Sequence, residues 1–317
     1  MNKRVYGVLG ISSIMANWNA DFSGFPKTIS DGTTFGSDKA LKYPMKKMWE
    51  DEGEKVLYIK SMCFDKKKDE VNLIPRTLKE RYEYIFNVSE LKNCKNVKEV
   101  LMNLFQAIDV KNFGATFAES PHNLSITGAV QIGQGLNKYE FTEPQEQSIL
   151  SPFRDSKAVA KKGEEAKSST LGTKIVSDEA HYFYPFVINS MAYKAYVEMG
   201  VTEGYTENDY HSFKIAALSS ATSFATNAKI GCENEFALFI ETEKDLYLPN
   251  LSEYIEFEKG EEGEKNQIRL NFDKIISDLK ERILSIEIYY NPYTNIVSSK
   301  KPIEGAKYFN ILTQKEV

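Results

Sequence analysis

The chain has 317 residues, 42% hydrophobic and 27% charged, enough to bury a sizeable core as one elaborated domain or two small ones. Its formal net charge is −5, but the stretch 233–264 sets eleven acidic residues against Lys244 and Lys259, a local −9 that leaves +4 for the remainder. A uniformly acidic surface is excluded, and any anion-binding face is expected outside that block. Cys63, Cys94 and Cys232 are too scattered for a disulfide framework or a metal-ligand pattern and fit a reducing, cytoplasmic setting.

Lys3 and Arg4 followed by the apolar run 5–16 mimic a secretory signal, yet Gly7, Gly10, Ser12 and Ser13 interrupt it and no small-residue cleavage pattern follows. A buried first strand at 3–14 is expected instead, and no apolar run reaches the ~20 residues that span a bilayer. A polar loop at about 16–36 leads to Gly36-Ser37-Asp38, which opens a helix ending near Asp51. On that helix Lys39, Lys42 and Lys46 share a face with Lys47 beside them, opposite Ala40, Leu41, Met45, Met48 and Trp49. Such a row suits a phosphate backbone, although a solvated helix face shows the same pattern, and Pro44 is expected to kink or interrupt it.

Residues 56–64 read as a strand, and Lys66-Lys67-Lys68 among Asp65, Asp69 and Glu70 as a solvated hairpin tip. Helices are predicted at 75–86 and 96–107, and strands at 113–118 and 124–132. From 144 to 174 the composition shifts to Ser, Ala, Lys, Gly and Glu, the mark of an insertion or arm, with +3 between Arg154 and Lys174. A core strand at 181–196, a helix from the capping box Thr206/Asp209 to about 224, a strand at 235–242, a helix at 272–283 and a strand at 285–291 complete the chain. The end of the acidic block, 250–266, reads as an exposed loop. This order is not that of a doubly wound nucleotide fold. It fits an α+β chain with a ferredoxin-like, RRM-like βαββαβ core and long insertions, a sheet type that often serves as an RNA platform.

Catalytic chemistry is sparse. His122, His181 and His211 have no partners at metal-ligand spacing, and Gly133-Gln134-Gly135 lacks the rest of a phosphate loop. His181, in an aromatic strand, is expected as a satisfied core or interface histidine. Asp21 and Asp31 are loop aspartates, a residue type that mostly forms turns.

Four patches in order resemble the CRISPR-associated backbone subunit of type I Cascade complexes in the RAMP superfamily, nearest its type I-B form. They are Ala16-Asn17-Trp18-Asn19-Ala20-Asp21, the segment from Ser37 to Lys46, Phe113-Gly114-Ala115 with Thr127-Gly128-Ala129-Val130-Gln131, and Thr170-Leu171-Gly172-Thr173-Lys174 with the aromatic strand after it. The chain departs from the family pattern at Tyr43, Pro44, Thr127 and Thr173, three of which stand where basic residues are usual.

The resemblance implies a hand-shaped subunit over residues 1–317: a palm, a helical finger-like insertion at about 66–110 and a thumb-like insertion at about 140–180. It implies a non-catalytic, cofactor-free role in which copies polymerise along a CRISPR RNA, present the guide to target DNA and join other Cascade subunits. Guide contacts would then fall to Asn17, Asn19, Ser37, Lys39, Lys42, Lys46, Lys47, Gln131 and Lys174, with Leu171 or Ile175 as the thumb wedge between bases. The rival readings are a type III-like endoribonuclease cutting through Asp21 or Asp31, and a structural protein whose acidic block binds a partner.

Overall fold

The computed structural model describes residues 1–67, 70–154 and 168–317. Lys68 of the expected lysine tip and residues 155–167 of the expected basic arm lie outside these. The first strand, β1 (Lys3–Ala16), runs through the centre of the molecule. Its side chains alternate between two cores, as the two-residue repeat of a strand requires. Val5, Leu9 and Ile11 enter one, and Tyr6 and Val8 the other. Gly7 is required by a close approach, since a Cβ there would sit 2.0 Å from the Leu238 carbonyl oxygen and 2.4 Å from the Phe186 ring.

The chain then forms β2 (Phe35–Gly36), α1 (Asp38–Asp51), β3 (Met62–Lys67), β4 (Glu70–Pro75), α2 (Leu78–Phe86), α3 (Val97–Gln106), α4 (Ile108–Phe113), β5 (Gly114–Glu119), β6 (His122–Thr127), β7 (Val130–Ile132) and β8 (Gly135–Asn137). After these come β9 (Pro144–Arg154), β10 (Ser168–Asn189), α5 (Lys194–Glu198), α6 (Glu207–Ser223), β11 (Cys232–Glu243), β12 (Ile255–Glu258), β13 (Asn266–Leu270), α7 (Asp273–Leu279), β14 (Ile283–Tyr290), β15 (Asn295–Ser299) and β16 (Ala306–Asn310). The main sheet has the order β16-β14-β11-β1-β10-β8-β2, with β7 and β9 also paired to β10. β1 is antiparallel to both neighbours, so that Leu9 lies opposite Tyr184 and Ala237.

One face of the sheet carries α1 and α6. Leu41, Met45 and Trp49 join Phe213, Ala216 and Ala217 in the larger core. Ser37 caps α1, and Thr206 with Asp209 forms the expected capping box of α6, each satisfying amides that the first helical turn leaves unpaired. Pro44 is buried inside α1 and the helix runs unbroken to Asp51, so the expected interruption does not occur.

The opposite face is covered as well. Ile255, Ile268 and Leu270 of the small β12-β13-β15 sheet, Ile276 of α7 and Phe272 just before that helix pack on Tyr6, Val8, Phe183, Phe236 and Leu238. Both faces of the sheet are therefore packed against other elements. A charged joint helps to fasten the module. His181 Nδ1 lies 2.9 Å from the Glu235 carboxylate and Nε2 3.1 Å from Glu179, while the ring stacks on Phe257 at 3.8 Å. Glu179 also pairs with Lys259. Burial alone would lower the imidazole pKa, but the charge and hydrogen bonds of the two carboxylates prevail and raise it to about 9. His181 is thus the satisfied interface histidine expected of it.

Several expected elements shift for identifiable reasons. The strand expected at 56–64 begins only at Met62, because the amides of Leu57 and Tyr58 donate to the buried Asp109 carboxylate at 2.8 Å instead of to a neighbouring strand. The strand expected at 124–132 breaks at Gly128, whose backbone lies against Phe113 with no room for a Cβ. Within the acidic block, 232–243 is the core strand β11, and the expected loop at 250–266 contains β12. The expected insertion at 66–110 begins inside the β3–β4 hairpin and continues through α2 to α4, and the one at 140–180 coincides with β9 and the first part of β10.

Candidate nucleic-acid interface

The end of β1 leads directly into the 17–36 loop, which internal hydrogen bonds make a defined structure. Asn17 Nδ2 donates to Gly24 O at 2.8 Å and to Ile175 O at 3.0 Å, tying the loop to β10, while its Oδ1 is buried without a partner. Asn19 Nδ2 donates to Phe35 O at 3.1 Å, and its Oδ1 accepts from the Ser37 hydroxyl at 2.9 Å. The side-chain amides of both asparagines are thus spent on shaping the loop, and Ser37 joins it to the helix it caps. Beneath them the Trp18 indole donates to the buried Tyr184 hydroxyl. Asp21 Oδ1 accepts from the amides of Ser23 and Phe25, and Asp31 Oδ1 from Thr33, so each aspartate closes its own turn.

The lysine row of α1 is divided by its surroundings. Lys39 is exposed and has no ion pair among the described residues. Lys42 pairs with Asp38 at 2.8 Å, one helical turn away, and lies over the Phe113 ring. Lys46 turns inward, with Nζ 3.3 Å from Tyr58 O and 3.9 Å from Asp109. Burial lowers the Lys46 pKa and raises that of Asp109, so desolvation weakens both charges in this pair. Lys47 faces away, held by Asp51 at 2.8 Å and Glu50 at 3.0 Å, which raise its pKa. A helical wheel gives directions, but the cover over Lys46 comes from 56–59 and α4, which it does not contain.

Ile175 and Lys174 stand on β10 opposite Glu146 and Gln147 of β9, where the arm leaves the sheet. Ile175 lies beside Gly24, whose added Cβ would come 3.5 Å from Ile175 Cδ1, so it packs on the loop at the base of the arm. Leu171 belongs to β10 by its backbone; its side chain lies outside the described residues. Gln131 is exposed on β7, with Nε2 bonded to Gly128 O, and pairs in register with Val187. Ala16 is opposite Ser177, ten residues back along β10, or about 33 Å at strand rise. The structure therefore gathers Asn17, Asn19, Ser37, Lys39, Lys174 and Ile175 around one end of β1 and leaves Gln131 at the other.

One member of the cluster was not read from the sequence. Lys229, in the turn between α6 and β11, donates to Asn17 O at 2.6 Å and to Trp18 O, with Nζ 5.3 Å from the Trp18 ring centroid. Burial lowers its pKa. It is placed by antiparallel register: Cys232 pairs with Ser13, so the turn before β11 lands beside the turn after β1. The same turn begins at Phe224, which meets Tyr43 of α1 edge-on at 5.6 Å.

The fold and this cluster define a protein built on a mixed, mainly antiparallel sheet with long insertions, whose loops bring lysines and carboxamides to one end of the sheet. Residues 3–277 match the family of CRISPR-associated protein Cas7, and the chain belongs to that family. Among solved structures it is similar to a chain of a "CRISPR RNA-guided surveillance complex, pre-nicking", with 12% identity, a TM-score of 0.49, and 97% of this chain and 96% of that one covered. A second, from a "CRISPR RNA-guided surveillance complex", has 13% identity, a TM-score of 0.49, and coverages of 95% and 92%. No curated protein matches the sequence. Among the described residues no cluster of His, Cys, Asp and Glu is placed to hold a metal ion, and no helix is long and apolar enough to cross a membrane.

Proposed function

We propose that this chain is the non-catalytic, CRISPR RNA-binding backbone subunit of a type I surveillance complex, nearest the type I-B form. In this reading it polymerises along the guide, presents it to target DNA and contacts other Cascade subunits. The observation that carries the proposal is the family match over residues 3–277. Pairing order supports a ferredoxin-like palm. The run β11-β1-β10-β8, with α1 and α6 as the crossovers, has the arrangement of a βαββαβ unit with its last strand beside its first. The β9–β10 arm takes the place of the thumb.

A guide-packaging subunit must hold backbone without reading bases, which lysines do and base-edge carboxamide pairs do not. The Nδ2 groups of Asn17 and Asn19 already donate to backbone carbonyls of the loop and of β10, which favours Lys39, Lys42 and Lys174 as the phosphate contacts among the residues named from sequence. One carboxylate oxygen each of Asp21 and Asp31 is engaged in closing its own turn.

Purification without added nucleic acid, followed by sequencing of what stays bound, tests the proposal. A discrete small RNA with repeat-derived ends is the expected result; recovery free of RNA, or with cellular RNA of random sequence, contradicts it. Incubating the loaded complex with complementary RNA and Mg²⁺ is expected to leave the RNA intact. Regular cleavage lost on Asp21→Asn or Asp31→Asn would establish the endoribonuclease instead.

A further inference from the structure

Lys229 presents an unusual electrostatic situation. Its ammonium is partly buried, yet no carboxylate pairs with it among the described residues; its partners are two backbone carbonyls and the face of Trp18. A cation withdrawn in part from water without a counter-ion is unfavourable, and proteins usually pair or neutralise it. An ammonium has three N–H donors, and the Asn17 and Trp18 carbonyls account for two of them. The titratable neighbour in the β1–β11 pairing is the Cys232 thiol, which burial pushes up and keeps uncharged, so it does not balance the lysine. The carbonyls that Lys229 holds belong to the turn that carries Asn17 and Asn19, with Lys39, which has no ion pair among the described residues, two residues after Ser37 at the same end of β1.

From this geometry we infer that Lys229 is a phosphate-binding residue, its third N–H and unmatched charge meeting a backbone phosphate of single-stranded RNA where the strand crosses the 17–19 turn. The ammonium then acts twice: it fixes the turn through two carbonyls and completes its own coordination with the ligand. This rests on the RNA-binding reading above, and the test separates the two.

The probe is an oligoadenylate, whose bases do not titrate between pH 7 and 10, in filter-binding titrations at several salt concentrations. Lys229→Met keeps the stem and removes the charge. It is expected to weaken binding roughly tenfold at low salt and to flatten the salt dependence by about 0.7 in log–log slope, the share of one phosphate on a single strand. Weaker binding with an unchanged slope would mean a purely structural clamp and overturns the inference. Should Lys229→Met fail to fold, the wild-type protein gives a second readout. Its affinity is expected to fall with rising pH before exposed lysines deprotonate, whereas Lys229→Arg holds steady; parallel curves overturn the inference. If Lys39→Ala flattens the slope and Lys229→Met does not, only this inference fails. If the wild-type chain does not bind the probe, the RNA-binding reading fails with it.

Discussion

Gly36 shows how closely the loop, the helix start and the core are fitted. A Cβ at this position would lie 1.7 Å from the Tyr184 hydroxyl and 2.8 Å from Trp18 Nε1, so a single methyl group would drive the two rings apart. Gly36→Ala is expected to lower stability by about 1–3 kcal/mol, the range for overpacking, as a shift of the urea midpoint. The lysines of α1 divide in the same local way. Lys39→Ala is expected to weaken RNA binding and flatten its salt dependence with little change in thermal stability. Lys46→Ala is expected to do the reverse, since it removes the packing between α1 and the 56–59 segment and strips a charge from beside buried Asp109. Thermal unfolding and filter binding on the two variants check this assignment; equal effects on RNA affinity would contradict it.

Elements differ in how openly their sequence declares them. α1 and α6 carry their own start signals at Ser37 and Thr206, and β1 its apolar run, so all three were legible. β12 and β15 were not, because four- and five-residue strands with charged or polar outward faces look like loop until a partner is known. The missed partner is the second face of the main sheet. His181 lies where these layers meet, and its titration belongs to the joint between them. With a folded pKa near 9 against about 6.5 unfolded, the protonated joint stabilises the protein fully below pH 6.5, and this contribution is lost as pH rises through 9. Urea midpoints are therefore expected to fall across that window, and His181→Gln to flatten the decline while lowering stability at pH 6.5 by about 3–5 kcal/mol, as for one partner removed from a buried ion pair. A pH-independent difference between the two proteins would refute this.

At the scale of the whole molecule, strand register decides which of the residues named from sequence stand near one another. Asn17, Asn19, Ser37 and Lys39 lie around one end of β1, whereas Gln131 falls at the far end, a separation fixed by strand register that spacing does not reveal. In the proposed filament, assembly length follows the guide, because head-to-tail contacts have no closing symmetry. Size-exclusion profiles with RNAs of increasing length are expected to move in regular steps, and a fixed particle size would argue against polymerisation.

The central placement of β1 has a consequence for how the chain is made. Its partners on either side are Ser177–Asn189 of β10 and Cys232–Glu243 of β11, so its last residue must wait for roughly 160 more residues before its ladder can begin to form. At ~5–20 residues per second of synthesis, that delay is on the order of 10–30 s. Through that interval an apolar segment of strand-forming residues has no native partner, and the ribosome and its chaperones, rather than the fold, must keep it from pairing with the wrong strand.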